Sequence, residues 1–376
     1  MKIVINCWIL RNKNLDGIGY FTINTVRRII QNNPEVSFVL LCDKNFTEPY
    51  FNFSNAEIKR VFPPYRHPLL YVFYMELVLP FVLKKQQPDL FFSLDGFLSL
   101  CSSCRQLPVM HDLNFEHYPE NLAFRNRVYY RFFFKRFAKK AARIATISEY
   151  SKADISKLYH IPAEKIDNVS CGINSSLHVL NEEEKKASRA RYSEGKPYFF
   201  FVGSMHPRKN MLRLIQGFTE FKKNTGSDLK LVIAGAALWD QSALQEVYTT
   251  SAYKSDIHFA GRLSDDELKS ALGAAYALSF VPVFEGFGLP VVEAFEAGVP
   301  VLASNVTSLP EVAGDAAVYA DPFNVQDIAK GMQLLYENKD GLCPSLIQKG
   351  FEQKKKFSWD ATAAMLWQTI LKASKK

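Results

Sequence analysis

Two glutamates flank a glycine-rich turn in the C-terminal part of the chain, where Glu285 to Glu293 reads EGFGLPVVE. An apolar run before this turn predicts a buried strand, and Pro290 with the apolar pattern after it predicts a helix. The loop amides and the positive end of that helix favour a bound phosphate. Carboxylates instead accept hydrogen bonds from hydroxyls, so the combination indicates a sugar phosphate or the ribose of a nucleotide. A surface turn whose glutamates only solvate the helix is the alternative, because a glycine turn alone is a weak signal.

A pair of cations opens another predicted helix. The strand PYFFFVGS ends near Gly203, and Arg208 and Lys209 stand at the start of the helix that follows. Cations oppose the dipole at a helix N-terminus, so their presence there favours an anion as the missing partner. Arginine binds a diphosphate with two hydrogen bonds, and lysine adds a point charge. An ordinary charged first turn is the competing interpretation.

The N-terminal part of the chain places polar residues after predicted strands, at Asp16–Gly19 (DGIG) and at His111 and Asp112. Ligands bind at the carboxyl ends of strands in parallel α/β sheets, so these residues are candidate substrate contacts. The DGIG segment is not the dinucleotide motif G-x-G-x-x-G, which disfavours a nicotinamide dehydrogenase. A structural histidine beside a strand end is the alternative for His111.

Short apolar strands alternate with amphipathic helices along most of the chain, which predicts parallel sheets covered on both faces. The alternation breaks after Gly172, in the polar segment NEEEKKASRARYSEGK, and resumes at Pro197. The 376 residues are also too many for one ordinary core. We therefore predict a first domain over 1–172, a linker over 173–196 whose polar sequence also fits a charged helix, a second domain over 197–357 and a terminal helix over 358–376.

The composition is typical of a soluble globular protein, with 48% hydrophobic and 22% charged residues. The net charge of +8 allows anionic partners. No nucleic-acid recognition motif accompanies that charge, so we expect no nucleic acid as a partner. The N-terminus has no separate apolar segment followed by a cleavage site, so we expect no signal peptide. The longest apolar run, Leu69 to Leu83, is too short to span a bilayer and is interrupted by Glu76 and Pro80. It predicts a buried or half-buried helix, and contact with a membrane surface is an open alternative.

Six cysteines are scattered along the chain, and Cys101 and Cys104 form a single C-x-x-C. A zinc site usually needs four ligands, and neither a second pair nor a histidine cluster lies nearby in the sequence. We therefore expect no metal and no redox cofactor.

The segment Phe124 to Ile144 combines an apolar stripe with many basic residues. At 100° per residue one face of a helix would carry the apolar side chains, namely Tyr130, Phe133, Phe134, Phe137, Ala141 and Ile144. The basic side chains spread over the rest of the surface with Phe132 among them: Arg125, Arg127, Arg131, Lys135, Arg136, Lys139, Lys140 and Arg143. A basic face with an exposed aromatic suits the headgroups of anionic lipids or a lipid diphosphate. A solvated charged face is the equally weighted alternative.

Three segments, GSMHPRKN, EGFGLPVVEAFEAGVPVLASN and SLPEVAGDAAVYADP, resemble the retaining glycosyltransferases of family 4. Glu285 and Glu293 fit the E-x7-E motif of that family, and His111 and Asp112 fit its histidine site. The resemblance covers nearly the whole chain and is weakest at Asp16–Gly19, where the family commonly has a double-glycine loop. It implies the α/β architecture called GT-B, with two Rossmann-like, doubly wound domains facing across a cleft. It also implies that the C-terminal helix packs back on the N-terminal domain.

The resemblance implies a role for each candidate residue. Arg208 and Lys209 would hold the donor diphosphate and stabilise it as the leaving group. Glu293 would accept hydrogen bonds from the ribose and Glu285 from the transferred sugar, while His111 would lie near that sugar and the acceptor. The remaining substrate-binding candidates are Gly17, Gly19, Asp112, Gly203, Gly286, Phe287, Gly288 and Leu289.

The resemblance implies a retaining hexosyltransferase, and the absence of a D-x-D motif beside Arg208 and Lys209 fits an enzyme that needs no metal. The second domain would bind a UDP- or GDP-sugar of mannose or glucose type, and the SNVTSLPEVAGDAA segment gives a lean towards mannose. The first domain would bind a saccharide or lipid-linked saccharide of surface glycan assembly. We expect a cytoplasmic protein that is peripheral on the inner face of the cell membrane. The alternatives are a nucleotide-sugar epimerase of similar fold and a non-catalytic nucleotide-sugar-binding protein.

Overall fold

The computed structural model describes residues 1–11, 17–43, 46, 49–61, 68–173, 177–236 and 242–375. The chain divides into two compact units. Unit 1 contains Met1–Gly172 together with Ser358–Lys376, and unit 2 contains Ile173–Phe357.

Unit 1 is built on parallel strands. Its strands are β1 (Lys2–Asn6), β2 (Ser37–Asp43), β3 (Ala56–Val61), β4 (Leu90–Ser93), β5 (Gln106–Pro108), β6 (Ile144–Thr146) and β7 (Ile166–Asn168). Its first helices are α1 (Gly17–Asn32), α2 (Pro68–Phe73), α3 (Leu79–Gln86), α4 (Asn114–His117), α5 (Phe124–Lys140) and α6 (Glu149–Tyr159). The sheet has the order β3-β2-β1-β4-β5, and a parallel bridge between Val109 and Ala145 continues it to the β6–β7 pair. The strand order reverses between β1 and β4, so both strands end at the position where such sheets bind ligands.

The apolar run Leu69 to Leu83 forms α2 and α3 with a π-helical segment, Tyr74–Val78, between them. Tyr74 is buried, whereas Leu77 and Phe81 are 52% and 72% exposed. The half-buried form of the prediction is therefore correct, because one side of the run packs on the core and the other faces solvent.

Helix α5 is shorter than the segment in which we predicted one apolar stripe. It ends at Lys140, Ala141 already has an extended backbone, and Ile144 begins β6. Within the helix the predicted stripe is confirmed, since Phe134 and Phe137 are buried. The stripe fixes which face of α5 contacts the core and leaves the opposite face to solvent.

Unit 2 repeats the same architecture. Its strands are β8 (Tyr198–Val202), β9 (Lys230–Ala234), β10 (Ile257–Gly261), β11 (Ala277–Phe280), β12 (Val301–Ser304) and β13 (Val318–Ala320). Its helices are α7 (Glu182–Ser193), α8 (Met211–Thr225), α9 (Ser242–Thr250), α10 (Asp265–Gly273), α11 (Leu289–Glu296), α12 (Leu309–Ala313), α13 (Val325–Glu337) and α14 (Leu342–Lys354). The sheet is parallel in the order β10-β9-β8-β11-β12-β13, which is the doubly wound order of nucleotide-binding folds.

The segment that we predicted as a linker, 173–196, contains helix α7 of unit 2. Asn181 caps this helix and Glu184 completes a capping box. Ser188 Oγ and Arg189 Nε donate hydrogen bonds to the carbonyls of Ser270 and Ala274 at 3.1 Å. These bonds fasten α7 to the end of α10, so the segment has a fixed place in the unit rather than the freedom of a linker.

The last helix, α15 (Trp359–Ser374), belongs to unit 1. Its Trp359 ring packs edge-on against Phe21 of α1, with 6.0 Å between the ring centroids. Next to it, Arg28 Nε donates to Asp360 Oδ1 at 2.6 Å. The chain therefore returns to its first unit after completing the second.

Candidate active site

The cationic loop and the glycine-rich loop of unit 2 follow neighbouring strands. The loop with Arg208 and Lys209 follows β8, and the loop with Glu285 follows β11. Because β8 and β11 pair at the point where the strand order reverses, both loops leave the same edge of the sheet. The fold thereby brings together residues that are more than seventy positions apart in the sequence.

Arg208, Lys209 and Glu285 form one ion cluster. Arg208 Nη1 lies 2.8 Å and Lys209 Nζ 2.6 Å from the same carboxylate oxygen, Oε2 of Glu285. The three side chains are 10 to 19% exposed. Burial alone would raise the pKa of Glu285, but the charges and hydrogen bonds of Lys209 and Arg208 outweigh it and hold that pKa below the usual value. The carboxylate is therefore ionised, and the cluster carries one net positive charge.

A short 3-10 turn, Pro207–Lys209, positions the two cations. Asn210 ends the turn with a left-handed backbone, φ 63°, and is buried. Its Nδ2 donates to the carbonyls of Val281 and Pro322 at 2.9 and 2.7 Å, and the amide of Val283 donates to the carbonyl of Arg208 at 2.9 Å. The cationic loop is thus bound to the chain that leads from β11 towards Glu285.

The glycine-rich loop is held by Thr307 and Ser308. Ser308 Oγ lies 2.9 Å from the carbonyl of Glu285 and 3.0 Å from that of Phe287. Thr307 Oγ1 accepts a hydrogen bond from the amide of Glu285 at 3.3 Å. Gly288 has φ 105°, and a Cβ added there would lie 2.4 Å from a methyl carbon of Leu309. Only glycine fits this position without a shift of its neighbour.

The start of α11 carries the three amides that we predicted as hydrogen-bond donors to a ligand. Among the described residues, the amides of Phe287, Gly288 and Leu289 have no hydrogen-bond acceptor. Leu289 is the first residue of the helix and Pro290 the second. The amides and the helix dipole therefore add a partial positive charge where the glycine-rich loop enters α11.

Gly203 lies where β8 turns towards the cationic loop. Its φ is 151°, and a Cβ added to the adjacent Gly235 would lie 1.8 Å from the Gly203 carbonyl oxygen. The loops after β8 and β9 approach too closely there for any side chain. The structure therefore gives Gly203 a role in shaping the loop that carries Arg208.

Glu293 lies on α11 and is half-buried. Its side-chain carboxylate has no hydrogen-bond partner among the described residues. Burial, together with the charge of Asp265, raises the pKa of Glu293 to about 7. The two glutamates of the motif therefore differ, since Glu285 is kept ionised by its cations and Glu293 titrates near neutral pH. A carboxylate that is desolvated and unpaired is suited to hydroxyl groups of a ligand.

The N-terminal candidates lie in unit 1. His111 follows β5, and its Nε2 lies 2.9 Å from the carbonyl oxygen of Leu94. Since a carbonyl only accepts, Nε2 carries a proton and donates it to this bond. The His111 ring also packs edge-on against Phe21, at 5.1 Å, on the helix that begins at Gly17. One oxygen of Asp112 accepts from the amide of Asn114 at 2.9 Å, so that carboxylate also shapes the chain entering α4.

Gly19 is buried in the first turn of α1, two residues before Phe21. The ring of Phe21, which contacts the His111 ring, therefore belongs to the same helix start as Gly17 and Gly19. The preceding Asp16, which we had included in the same turn, lies outside the described residues.

The structure adds a carboxylate that sequence reasoning missed. Asp95 lies two residues after the end of β4, next to Leu94, whose carbonyl accepts from His111. Its Oδ1 accepts from Ser93 Oγ at 2.7 Å, whereas among the described residues its Oδ2 has only a long contact, 3.4 Å, from Asn6 Nδ2. Burial raises the pKa of Asp95 to about 6, against hydrogen bonds that favour its ionised form. Its position after a strand that ends at the switch point was the signal available in the sequence.

Among the described residues, no three His, Cys, Asp or Glu side chains are grouped as metal ligands would be. Over the same ranges, none of the helices combines the length and the hydropathy needed to cross a membrane.

Comparison with known proteins connects this geometry to a family. Residues 15–177 match Glycosyltransferase Family 4, and residues 182–353 match Glycosyl transferases group 1. O-antigen chain mannosyltransferase B of Escherichia coli is 32% identical over 222 residues, which are 58% of this chain and 58% of that protein. O-antigen chain mannosyltransferase RfbU of Salmonella typhimurium is 27% identical over 274 residues, 71% of each chain.

The fold is also that of a solved structure, Anabaena HepE in complex with UDP and glucose. It matches 99% of both chains with a TM-score of 0.75 at 16% identity, a level that establishes the fold alone. The two family matches together leave few residues of the chain unassigned. The chain therefore belongs to the family 4 glycosyltransferases, in the GT-B fold.

Proposed function

We propose that this protein transfers a hexose, most simply mannose, from a UDP- or GDP-sugar to a saccharide or lipid-linked saccharide of surface glycan assembly. The named activity of the two O-antigen relatives supports the sugar and the pathway class. The observation that carries the proposal is the ion cluster of Arg208, Lys209 and Glu285 at the carboxyl ends of β8 and β11. A cationic seat beside an ionised carboxylate fits a diphosphate joined to a sugar.

The donor site follows from the charges of unit 2. The diphosphate would bind Arg208 and Lys209 in place of Glu285. It would also accept hydrogen bonds from the amides at the start of α11. Glu285, displaced from its two cations, would accept hydrogen bonds from the hydroxyls of the donor sugar. Glu293 would accept hydrogen bonds from the ribose, which favours its ionised form and lowers its pKa when the nucleotide is bound.

The reaction that we propose needs no metal and no covalent enzyme intermediate. A bond forms between an acceptor hydroxyl oxygen and C1 of the donor sugar on the face from which the diphosphate departs. The bond from C1 to the phosphate oxygen breaks, and its electron pair leaves with the nucleoside diphosphate. The leaving phosphate oxygen takes the acceptor proton, while Arg208 and Lys209 stabilise the charge that develops there.

Unit 1 would supply the acceptor contacts. The bond of Nε2 to the carbonyl of Leu94 holds the His111 ring in place, and Asp95 Oδ2 receives only a long contact, from Asn6 Nδ2, among the described residues. An imidazole and a carboxylate both suit sugar hydroxyls. We assign Asp95 as an acceptor-binding residue together with His111 and Asp112, close to the helix start at Gly17 and Gly19.

The decisive experiment combines binding and transfer. UDP, GDP, UDP-glucose and GDP-mannose are compared by thermal shift, because a ligand that binds only the native state raises its Tm. The donor that binds is then incubated with membranes containing lipid-linked glycans, and a glycosylated product is sought by mass spectrometry. Arg208→Ala and Lys209→Ala should lose the Tm shift, whereas Lys223→Ala, exposed at the far end of α8, should keep it.

The outcomes separate the alternatives. A donor sugar that changes its configuration without any acceptor would indicate an epimerase. Binding with neither product would indicate a nucleotide-sugar-binding protein without catalysis. No Tm shift with any of the four ligands would contradict the proposed donor site.

A further inference from the structure

We propose that unit 1 binds the surface of an anionic lipid bilayer through one face formed by α2, α3 and α5. This face is independent of the transfer reaction and of the donor site in unit 2. Its exposed apolar members are Leu70, Phe73, Leu77 and Phe81 from α2, the π-helical segment and α3, and Phe124, Val128 and Phe132 from α5.

Both apolar rows run along their helices. Leu70, Phe73, Leu77 and Phe81 are spaced by three or four residues, and so are Phe124, Val128 and Phe132, which keeps each row on one side. Their exposed fractions lie between 43 and 72%. Large apolar side chains exposed in rows, rather than singly, mark a surface that is covered in use.

An aromatic seam joins the two rows into one face. Tyr71, next to Leu70, packs edge-on against Tyr129, next to Val128, with 5.9 Å between the ring centroids. Phe97 contacts both rings, at 4.8 and 6.1 Å. The seam fixes the helices against each other, so the face is a built surface and not two loose segments.

The charge of the face is mainly positive, and one of its cations, Arg131, is paired, since its Nε lies 3.3 Å from Oε2 of Glu116 on α4. The exposed basic residues of the face are Lys84, Lys85, Arg125, Arg131, Arg136, Lys139 and Lys140. α5 contains no acidic residue, and the carboxylate of Glu76 is turned to the protein, where Oε2 accepts from the amide of Cys101 at 2.9 Å. The guanidinium of Arg136 lies over the Phe132 ring at 3.6 Å, so a cation and an aromatic share one contact point.

This combination favours a bilayer over a protein partner. A second copy of the chain would bring seven basic residues against the same seven, which costs free energy. Protein interfaces are also depleted in lysine at their centres. Apolar side chains that enter the headgroup boundary, ringed by Lys and Arg that contact anionic lipids, are the pattern of surface-bound amphipathic helices.

The test is flotation of the full-length protein with vesicles. The protein should float with phosphatidylcholine vesicles that contain phosphatidylglycerol, and stay at the bottom with phosphatidylcholine alone. Raising the salt should reduce the floating fraction, since screening shortens the reach of the basic residues. Lys139→Ala with Lys140→Ala should lower the partition coefficient about 25-fold, at about fivefold for each basic side chain.

Matched variants separate this face from general charge. Lys330→Ala with Lys339→Ala removes the same charge from exposed positions of unit 2 and should leave flotation unchanged. The double variant Phe73→Ser with Phe81→Ser should abolish flotation. An unchanged Tm of this variant and of the double lysine variant shows that both of them fold. Equal flotation with both vesicle types, or equal loss in the unit 2 control, would overturn the proposal. So would a dimer in sedimentation experiments without vesicles that Phe81→Ser dissociates.

Discussion

Replacing Glu293 by glutamine should stabilise the ligand-free protein while weakening its binding of nucleotides. Glu293 is half-buried, and its pKa is raised from 4.5 to about 7 by burial and by the charge of Asp265. Its ionised form therefore costs free energy in the folded state. Glutamine has the same shape without the charge.

The size and the pH window follow from the two pKa values. A raised pKa in the folded state means that stability is full below about pH 4.5 and falls as the pH rises to about 7. At about 1.4 kcal/mol for each pKa unit, the loss reaches about 3 kcal/mol above pH 7, and solvent around a half-buried group reduces it to about 2 kcal/mol. Glu293→Gln should therefore match the wild type at pH 4.5 and gain about 4 to 8 °C in Tm at pH 8.

The assay is thermal unfolding from pH 4.5 to pH 8, followed by nucleotide binding at pH 8. If Glu293 binds the ribose as we propose, loss of its hydrogen bonds should raise the Kd for the nucleotide about tenfold or more. Glu296→Gln is the matched control, since Glu296 lies on the same helix but pairs with Lys354 at 2.8 Å. It should gain no stability at pH 8 and should keep its nucleotide affinity. A variant at Glu293 that is less stable than the wild type at pH 8, or that binds nucleotide normally, would refute the reasoning.

Three further predictions concern the cluster, the turn and the acceptor. Glu285→Gln should tighten the binding of UDP or GDP about tenfold, because a competing anion is removed, and should lower turnover about 100-fold; weaker binding of the diphosphate in calorimetry would contradict this. Gly288→Ala should destabilise the protein by about 1 to 3 kcal/mol, measured by denaturant unfolding; a neutral effect would show that the turn is not strained. Asp95→Asn should raise the KM for the acceptor about tenfold and leave the KM for the donor unchanged, whereas Asp89→Asn at the other end of β4 should change neither.

The strand–turn–helix around Glu285 could be predicted because each of its signals is local. A run of apolar residues, two glycines and a proline are enough to place β11 and α11 within a few residues. The amphipathic period of α5 likewise predicted that Phe134 and Phe137 are buried. Local patterns fix the faces of helices and strands because burial is decided within a few turns of the chain.

Contacts between distant segments could not be predicted from the same patterns. Asn6 and Asp95 are 89 residues apart, and their meeting depends on the pairing of β1 with β4. The exposed row on α2 and α3 belongs to a continuous apolar run, from which the sequence could not decide between a buried and a half-buried helix. The polar segment of α7 likewise fitted either a linker or a charged helix, and its fixed place depends on hydrogen bonds to α10. In each case a partner outside the segment decides the structure.

The contact of Arg208 and Lys209 with Glu285 is one such long-range contact, and it bears on function. The sequence indicated that the two cations need an anion, and in the ligand-free protein that anion is Glu285. Two half-buried cations without it would be costly, so the carboxylate keeps them in place before a donor arrives. In the donor site that we propose, a diphosphate bound to the two cations would leave Glu285 in need of new donors, and the hydroxyls of the attached sugar would supply them. A free nucleoside diphosphate does not supply those hydroxyls, so the cluster should favour the intact donor over the product that leaves.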